Sequence, residues 1–551
     1  MRFSFDDQQG PLRANFKRPG SASSAPKLRV VRTEPSIGHA KTSEAKGLDH
    51  QPAASQSPES VALRSLFPNA TFYGCNDLVV EKVAHSVGSA QEGELALYQI
   101  GEHDPVEFVA TALARGVGGI LTEQLLPCPI SQCVIGNLDH AHSELLAALH
   151  GQPAQQMLTV GVIGDSGKTT TCLLAATLTN AKSLRTAYQC DLASSDGVIK
   201  ATSQQPTLAG PALIQWMGDA NDCHSQVAIV ELHANQAKNG LYDSVELDVL
   251  IVAGRHEVTQ DFGPDVLDCV IDRLSPRGVI IHPDDDQRSI EAAQDANCEA
   301  IAYGNTPGCE SAAMILDQSG GMSTIMLTSG DCSALMESSL CGLHMAGNIA
   351  AAAAFGRLIG MELQQIATHL SSMRSVPARG QRIVGCGDAT VVLESAGTPA
   401  RIKSALRSAK ASGAGGKTWC VLAIGKGDSD ADLSEMGTLM ERFADHCVVT
   451  AKQDSRRQFL QQAHQLLDGV RECAAMRLVA GRNEALHWAL KHAKPRDTIV
   501  MITNRRDQSA FECRSEVSEL RELIDQYRED HPSSAGDVQQ KNGKISLKLF
   551  Q

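Results

Sequence analysis

The chain has 551 residues, of which 42% are hydrophobic and 20% charged, an ordinary globular composition in a length too great for one hydrophobic core, so several domains are expected. A formal net charge of −14 argues against a duplex nucleic-acid binder, which needs a basic face, and no apolar run approaches the roughly 20 residues of a membrane span, so a cytoplasmic protein is expected. The 16 cysteines are scattered without a C-x-x-C pair, which predicts buried thiols rather than disulfides or a zinc site.

Residues 1–60 are rich in Ser, Pro, Ala, Gln and basic residues and show neither helical nor strand periodicity, so this leader is expected to be disordered. Residues 61–151 read as a small α/β domain. Its strand Gly93–Tyr98 precedes a helix over 104–115 with Asp104 as cap ahead of Pro105, and a second strand spans Val117–Leu121. Across 152–376, apolar β-rich runs recur at Leu158–Ile163, Val227–Leu232, Val249–Ala253, Gly278–Ile281 and Ala300–Tyr303, with helix-like stretches between them. That alternation predicts a mainly parallel sheet covered on both faces. A third set over 377–529, with strands at Thr390–Leu393, Trp419–Ile424, Cys447–Thr450, Arg477–Val479 and Thr498–Ile502, predicts a second doubly wound, Rossmann-like domain. Residues 530–551 form a polar tail.

The strongest chemical signal is Gly161-Val162-Ile163-Gly164-Asp165-Ser166-Gly167-Lys168-Thr169-Thr170-Thr171, placed between an apolar strand and a helical run. Backbone N–H groups of Gly164, Asp165, Ser166 and Gly167 and the following helix start would cradle phosphates, with Lys168 on the outer ones and Thr169 on Mg²⁺. Val162 stands where the usual eight-residue phosphate loop has its first glycine, so the loop is a shorter one.

Gly164-Asp165-Ser166-Gly167-Lys168-Thr169-Thr170 resembles the G-T-N-G-K-T-[ST] loop of the Mur ligases, and Leu149-His150-Gly151-Gln152-Pro153 resembles the F-Y-G-x-P that precedes it in the tripeptide synthetase branch. Gln91–Leu97 and Phe108–Glu123 are similar to that family's first-domain motifs. The resemblance implies three α/β domains: a small N-terminal UDP-substrate domain, a central ATP-binding parallel-sheet domain and a C-terminal Rossmann-like ligase domain. It also implies residue roles. Glu231 matches the Mg²⁺-binding acid of M-E-V-S-S-H, with a helix N-cap acid or a solvated strand end as the alternatives. Asn348, in Gly342-Leu343-His344-Met345-Ala346-Gly347-Asn348, takes the adenine-contacting position, with a helix cap as the alternative. Arg379, in Val376-Pro377-Ala378-Arg379, is a phosphate ligand or a surface ion pair, and Glu394 replaces an ATP-facing Asp.

Some family features are missing. No lysine lies between Lys238 and Lys403, so the carbamylated lysine that bridges two Mg²⁺ ions in this branch is absent; Asp272, near the expected position, is a substitute oxygen ligand. His256, in Gly254-Arg255-His256-Glu257, stands for the metal-binding His of S-R-D-H, or is a solvated loop residue. The diaminopimelate-selecting D-N-P-R is replaced by Lys452-Gln453-Asp454-Ser455, and the late G-K-G-H-E by Thr503-Asn504-Arg505-Arg506-Asp507. A related ligase acting on another acid, such as folate or a polypeptide carboxylate, is disfavoured by the family-like first domain, which leaves two main functions compatible with this pattern. In one, Lys168, Glu231 and Arg379 serve an ATP- and Mg²⁺-dependent ligase that joins an amino acid to a UDP-N-acetylmuramoyl-peptide through an acyl phosphate. In the other, the chain is a nucleotide-binding pseudoenzyme with a regulatory or scaffold role.

Overall fold

A computed structural model of the chain describes residues 60–202, 208–254, 265–384, 389–425, 428–451, 456–503 and 510–531. The leader up to residue 59, the tail beyond 531, His256, Lys452–Ser455 and Asn504–Asp507 lie outside these described residues.

The N-terminal unit is a four-stranded sheet in the order Thr71–Tyr73, Gln132–Val134, Gly119–Thr122, Leu95–Tyr98. Its last three strands run parallel, and the first is antiparallel. The helix Pro105–Arg115 starts as its sequence dictates. Asp104 accepts from the N–H groups of Val106 and Glu107, Pro105 needs no hydrogen bond in the first turn, and Gly116 closes the helix in the left-handed region.

The central unit is built on an eleven-stranded sheet. Seven strands are parallel, in the order Thr186–Gln189, Val227–Glu231, Leu158–Ile163, Leu247–Val252, Leu274–Pro283, Glu299–Gly304, Ser311–Ser319. Continuous apolar runs suit such strands, because helices cover both faces. Val160 and Val162 face a core shared with the helices Lys168–Ala181 and Leu343–Leu358, while Ile163, Val230 and Leu250 face a second core under the helix Gly210–Asp222. The expected parallel sheet is present, but it is extended at both edges by antiparallel strands. Ala193–Ser195 and Lys200–Thr202 lie on one side; Met322–Ser329 and Cys332–Ser338, outward of Ser311–Ser319, lie on the other. Gly320 and Gly321, at φ 57° and 83°, join Ser311–Ser319 to Met322–Ser329 in a two-residue hairpin whose twist demands positive φ.

The C-terminal unit carries six strands in the order Gln381–Ile383, Thr390–Ser395, Thr498–Thr503, Thr418–Ile424, His446–Ala451, Met476–Gly481, all parallel except the first. A long helix, Ala510–Asp530, packs on it. Buried Arg482 donates to Glu516 and, at 2.8 Å, to Glu519 of that helix. The cysteines from Cys75 to Cys341 and Cys420, Cys447 and Cys473 are free thiols. No described helix is long and apolar enough to cross a membrane.

Candidate functional site

Leu158–Ile163 lies inside the central sheet between Val227–Glu231 and Leu247–Val252, so the chain leaving its C-terminal end enters the crevice where open parallel sheets place ligands. The turn there is tightly clasped. A Cβ added to Gly164 would stand 1.8 Å from the Ala253 carbonyl oxygen, and one added to Gly167 would stand 2.1 Å from Asn348 Oδ1. Neither position admits a side chain. Ser166 rests on Gly254, and the Lys168 ammonium folds back to donate to the Gly164 carbonyl at 3.0 Å. Lys168 opens the helix that runs to Ala181, so the loop leads directly into a helix N-terminus.

Glu231 ends its strand at 1% exposure, which removes the solvated strand end as an account of it. Its Oε2 accepts from Thr169 Oγ1 at 2.9 Å and from the Asp191 N–H at 2.9 Å. Asn348 lies in the second turn of the helix Leu343–Leu358, whose cap is Gly342; it is buried against Gly167 and does not cap. Thr170 is buried in the first turn of the loop helix.

Arg379 and Glu394 form a second group, on the C-terminal unit. The Gly380 N–H donates to Glu394 Oε2 at 2.6 Å, and Arg379 donates to the Ala378 carbonyl at 3.2 Å. Burial pushes the Glu394 carboxyl up to about 7, against the opposing pull of Arg379, the Gly380 N–H and Arg401. The two groups meet through Met345, whose sulfur lies 3.9 Å from Asn348 Nδ2 and whose methyl faces Gly380. They also meet through Arg401, in the first turn of the helix Pro399–Ser412, which donates to the Asp165 carbonyl of the phosphate loop. On the same helix Ser404 Oγ lies 3.0 Å from Nδ1 of His344, an imidazole that burial pushes down to about 4 and so keeps neutral.

The site has members that the motifs did not name. Arg401 belongs to none of them. Asp191 follows the strand Thr186–Gln189, and His233 stands two residues beyond Glu231; His233 Nε2 lies 3.0 Å from Asp191 Oδ1. A strand's period of two, carried past Glu231, was the available signal for His233. Asp272 requires a correction. It is exposed and precedes Leu274, which pairs with Leu247 at the N-terminal edge of the sheet, so it lies at the opposite end from the loop. There it lines a cleft with Leu66, Gln152 and Asp243 and cannot replace the missing lysine. His256 lies outside the described residues.

Donors of this kind fit a nucleotide and its cation: a cradle no side chain could fill, a lysine at a helix start, and a hydroxyl bonded to a buried carboxylate. Fold and loop together define the class, a three-unit α/β protein with an abbreviated phosphate loop at a cleft between two parallel sheets. Residues 378–505 match the family model described as Mur ligase, glutamate ligase domain. Over 449 residues the chain is 25% identical to the UDP-N-acetylmuramyl-tripeptide synthetase of Deinococcus radiodurans, an alignment covering 77% of this chain and 89% of that protein. A solved UDP-N-acetylmuramoyl-L-alanyl-D-glutamate–2,6-diaminopimelate ligase shares the fold with a TM-score of 0.59 at 18% identity, covering 81% of this chain and 95% of that one. The MurF ligase from Thermotoga maritima in complex with ADP gives 0.59 at 16% identity, covering 81% and 98%. The chain is thus a homologue of the Mur ligases with their three-domain architecture, as the motif resemblance implies.

Proposed function

We propose that the protein is an ATP-dependent, acid–amino-acid ligase that joins an amino acid to the peptide carboxylate of a UDP-N-acetylmuramoyl-peptide, acting in the cytoplasm on peptidoglycan precursors. The observation that carries this reading is the convergence of Gly164–Thr170, Glu231 and Asn348 of the central unit with Arg379, Glu394 and Arg401 of the C-terminal unit on one cleft. The units are taken as 61–151 for the nucleotide-sugar substrate, 152–376 for ATP and 377–529 for the incoming amino acid.

An oxygen of a carboxylate is a poor leaving group and a phosphate is a good one, so the carboxylate is first phosphorylated by ATP and then attacked by the amine, which releases phosphate. In this scheme the loop amides and Lys168 hold the phosphates, and Asn348, beside Gly167, faces the adenine. Thr169 and Glu231 are the residues that would hold Mg²⁺, which supplies charge neutralisation on the transferring group. Arg379 and Arg401 bring further positive charge from the C-terminal unit, and closure of that unit excludes water from the reactive acyl phosphate.

The deciding measurement is phosphate release by the purified protein with ATP, UDP-N-acetylmuramoyl-dipeptide and a panel of amino acids. Release should match amide formed, fall at least about 100-fold in Lys168→Ala, and ignore added bicarbonate, since no lysine between 238 and 403 can form a carbamate. Tight MgATP binding without turnover for any acceptor would replace the ligase with the nucleotide-binding pseudoenzyme.

A further inference from the structure

Beside the phosphate loop, on the flank away from Leu247–Val252, two adjacent strands end in a cluster with ligand chemistry. Asp191 lies just past Thr186–Gln189, Glu231 ends Val227–Glu231, and His233 follows it; these strands are parallel neighbours in the sheet. One donor atom from each of the three lies within 4.8 Å of the others. Asp191 and Glu231 are buried, and His233 is partly exposed. The 3.0 Å between His233 Nε2 and Asp191 Oδ1 equals the separation of two adjacent ligands on an octahedral ion with bonds of about 2.1 Å. The Glu231 carboxylate is oriented by Thr169 Oγ1 and the Asp191 N–H, so its donors are preset.

We propose that Asp191, Glu231 and His233 form a divalent-cation site of two carboxylates and one imidazole, selective for Mn²⁺ over Mg²⁺, which supplies the ligase reaction with its second cation. The proposal rests on the ligase reading only for that last role. The chemistry of the set gives the metal. Mg²⁺ prefers oxygen donors and gives up its water reluctantly, whereas an imidazole suits the transition metals, and carboxylates keep the site hospitable to Mn²⁺. The ligands come from the flank of the loop strand toward Thr186–Gln189.

The test uses full-length protein stripped of metal and free of nucleotide, titrated with Mn²⁺ and followed by electron paramagnetic resonance, with pulsed measurements for nitrogen coupling. One Mn²⁺ should bind with a ¹⁴N coupling from imidazole, and Mg²⁺ should displace it only in more than about tenfold excess. His233→Ala should abolish the coupling and weaken Mn²⁺ at least about tenfold, and Asp191→Asn should weaken it similarly, both with unchanged melting temperature. Absence of bound Mn²⁺ without nucleotide, or a nitrogen coupling that survives in His233→Ala, overturns the site. Lys168→Ala separates the two ideas, because it should abolish nucleotide binding and leave Mn²⁺ in place.

Discussion

Glu394 shows how one side chain links the fold to the chemistry. Its folded-state carboxyl, pushed up to about 7 by burial, keeps a proton that the unfolded chain loses near pH 4.5, so the folded state binds more protons between those values. Stability therefore falls as pH rises through that window, and is unaffected by this group below it. Glutamine would still accept from the Gly380 N–H without the charge. Glu394→Gln should therefore gain stability relative to the native protein between pH 5 and pH 8, by about 1–2 kcal/mol. Calorimetric melts of both proteins across that range check this, and parallel pH profiles would refute it. The same residue marks the limit of reading by motif. Its place was legible because Glu394-Ser395-Ala396-Gly397-Thr398-Pro399 occupies a recognisable slot. Arg401, which opposes its protonation, sits 236 residues from its own partner Asp165, and no local pattern announces such a pair.

Among elements, the parallel strands were legible wherever apolar residues run without a break. Leu158–Ile163 and Trp419–Ile424 are buried almost throughout, and periodicity and length agree on them. Thr186–Gln189 was not legible, since four residues of mixed polarity are too short a pattern, yet all four are buried and the strand leads to Asp191. The antiparallel extension was hidden differently. Met322–Ser329 alternates buried with partly exposed positions and carries Ser and Thr among its apolar residues, so composition marks it as a loop as readily as a strand. The helix Leu343–Leu358 reads as alanine-rich but not as the hub it is. Ala350–Ala354 are all buried, and their small side chains let this helix lie close to the loop helix while holding Asn348 at Gly167. Ala352→Leu should overpack that seam, costing about 1–3 kcal/mol and weakening nucleotide binding as Asn348 is displaced. Nucleotide affinity preserved alongside a lowered melting temperature would show that the helix and the loop are not coupled.

At the scale of the whole molecule, the central and C-terminal units touch at several points. Arg401 reaches the phosphate loop, Arg514 donates to Thr202 Oγ1 at 2.9 Å, and the Gly321 N–H donates to the Ser412 carbonyl at 3.1 Å. Removing only the first should spare the fold and weaken the grip on ATP. Arg401→Ala is expected to raise the dissociation constant for ATP about tenfold, or about 1.4 kcal/mol, with little change in melting temperature; titration calorimetry reads it, and an unaltered constant would remove Arg401 from the site. The Gly321 contact has a mechanical consequence. The hairpin tip bears on the last residue of the helix Pro399–Ser412, and Arg382 donates to the same Ser412 at 2.9 Å, while Arg401 lies at the helix's far end. The helix is a lever and the glycine turn its fulcrum. Eleven residues of helix make an arm of about 16 Å, so a swing of about 10° carries the arginine end about 3 Å, the whole difference between a hydrogen bond and none. A turn lengthened by one residue would lift the fulcrum and hold the arginine off the loop, acting from outside the cleft and without altering any residue that lines it.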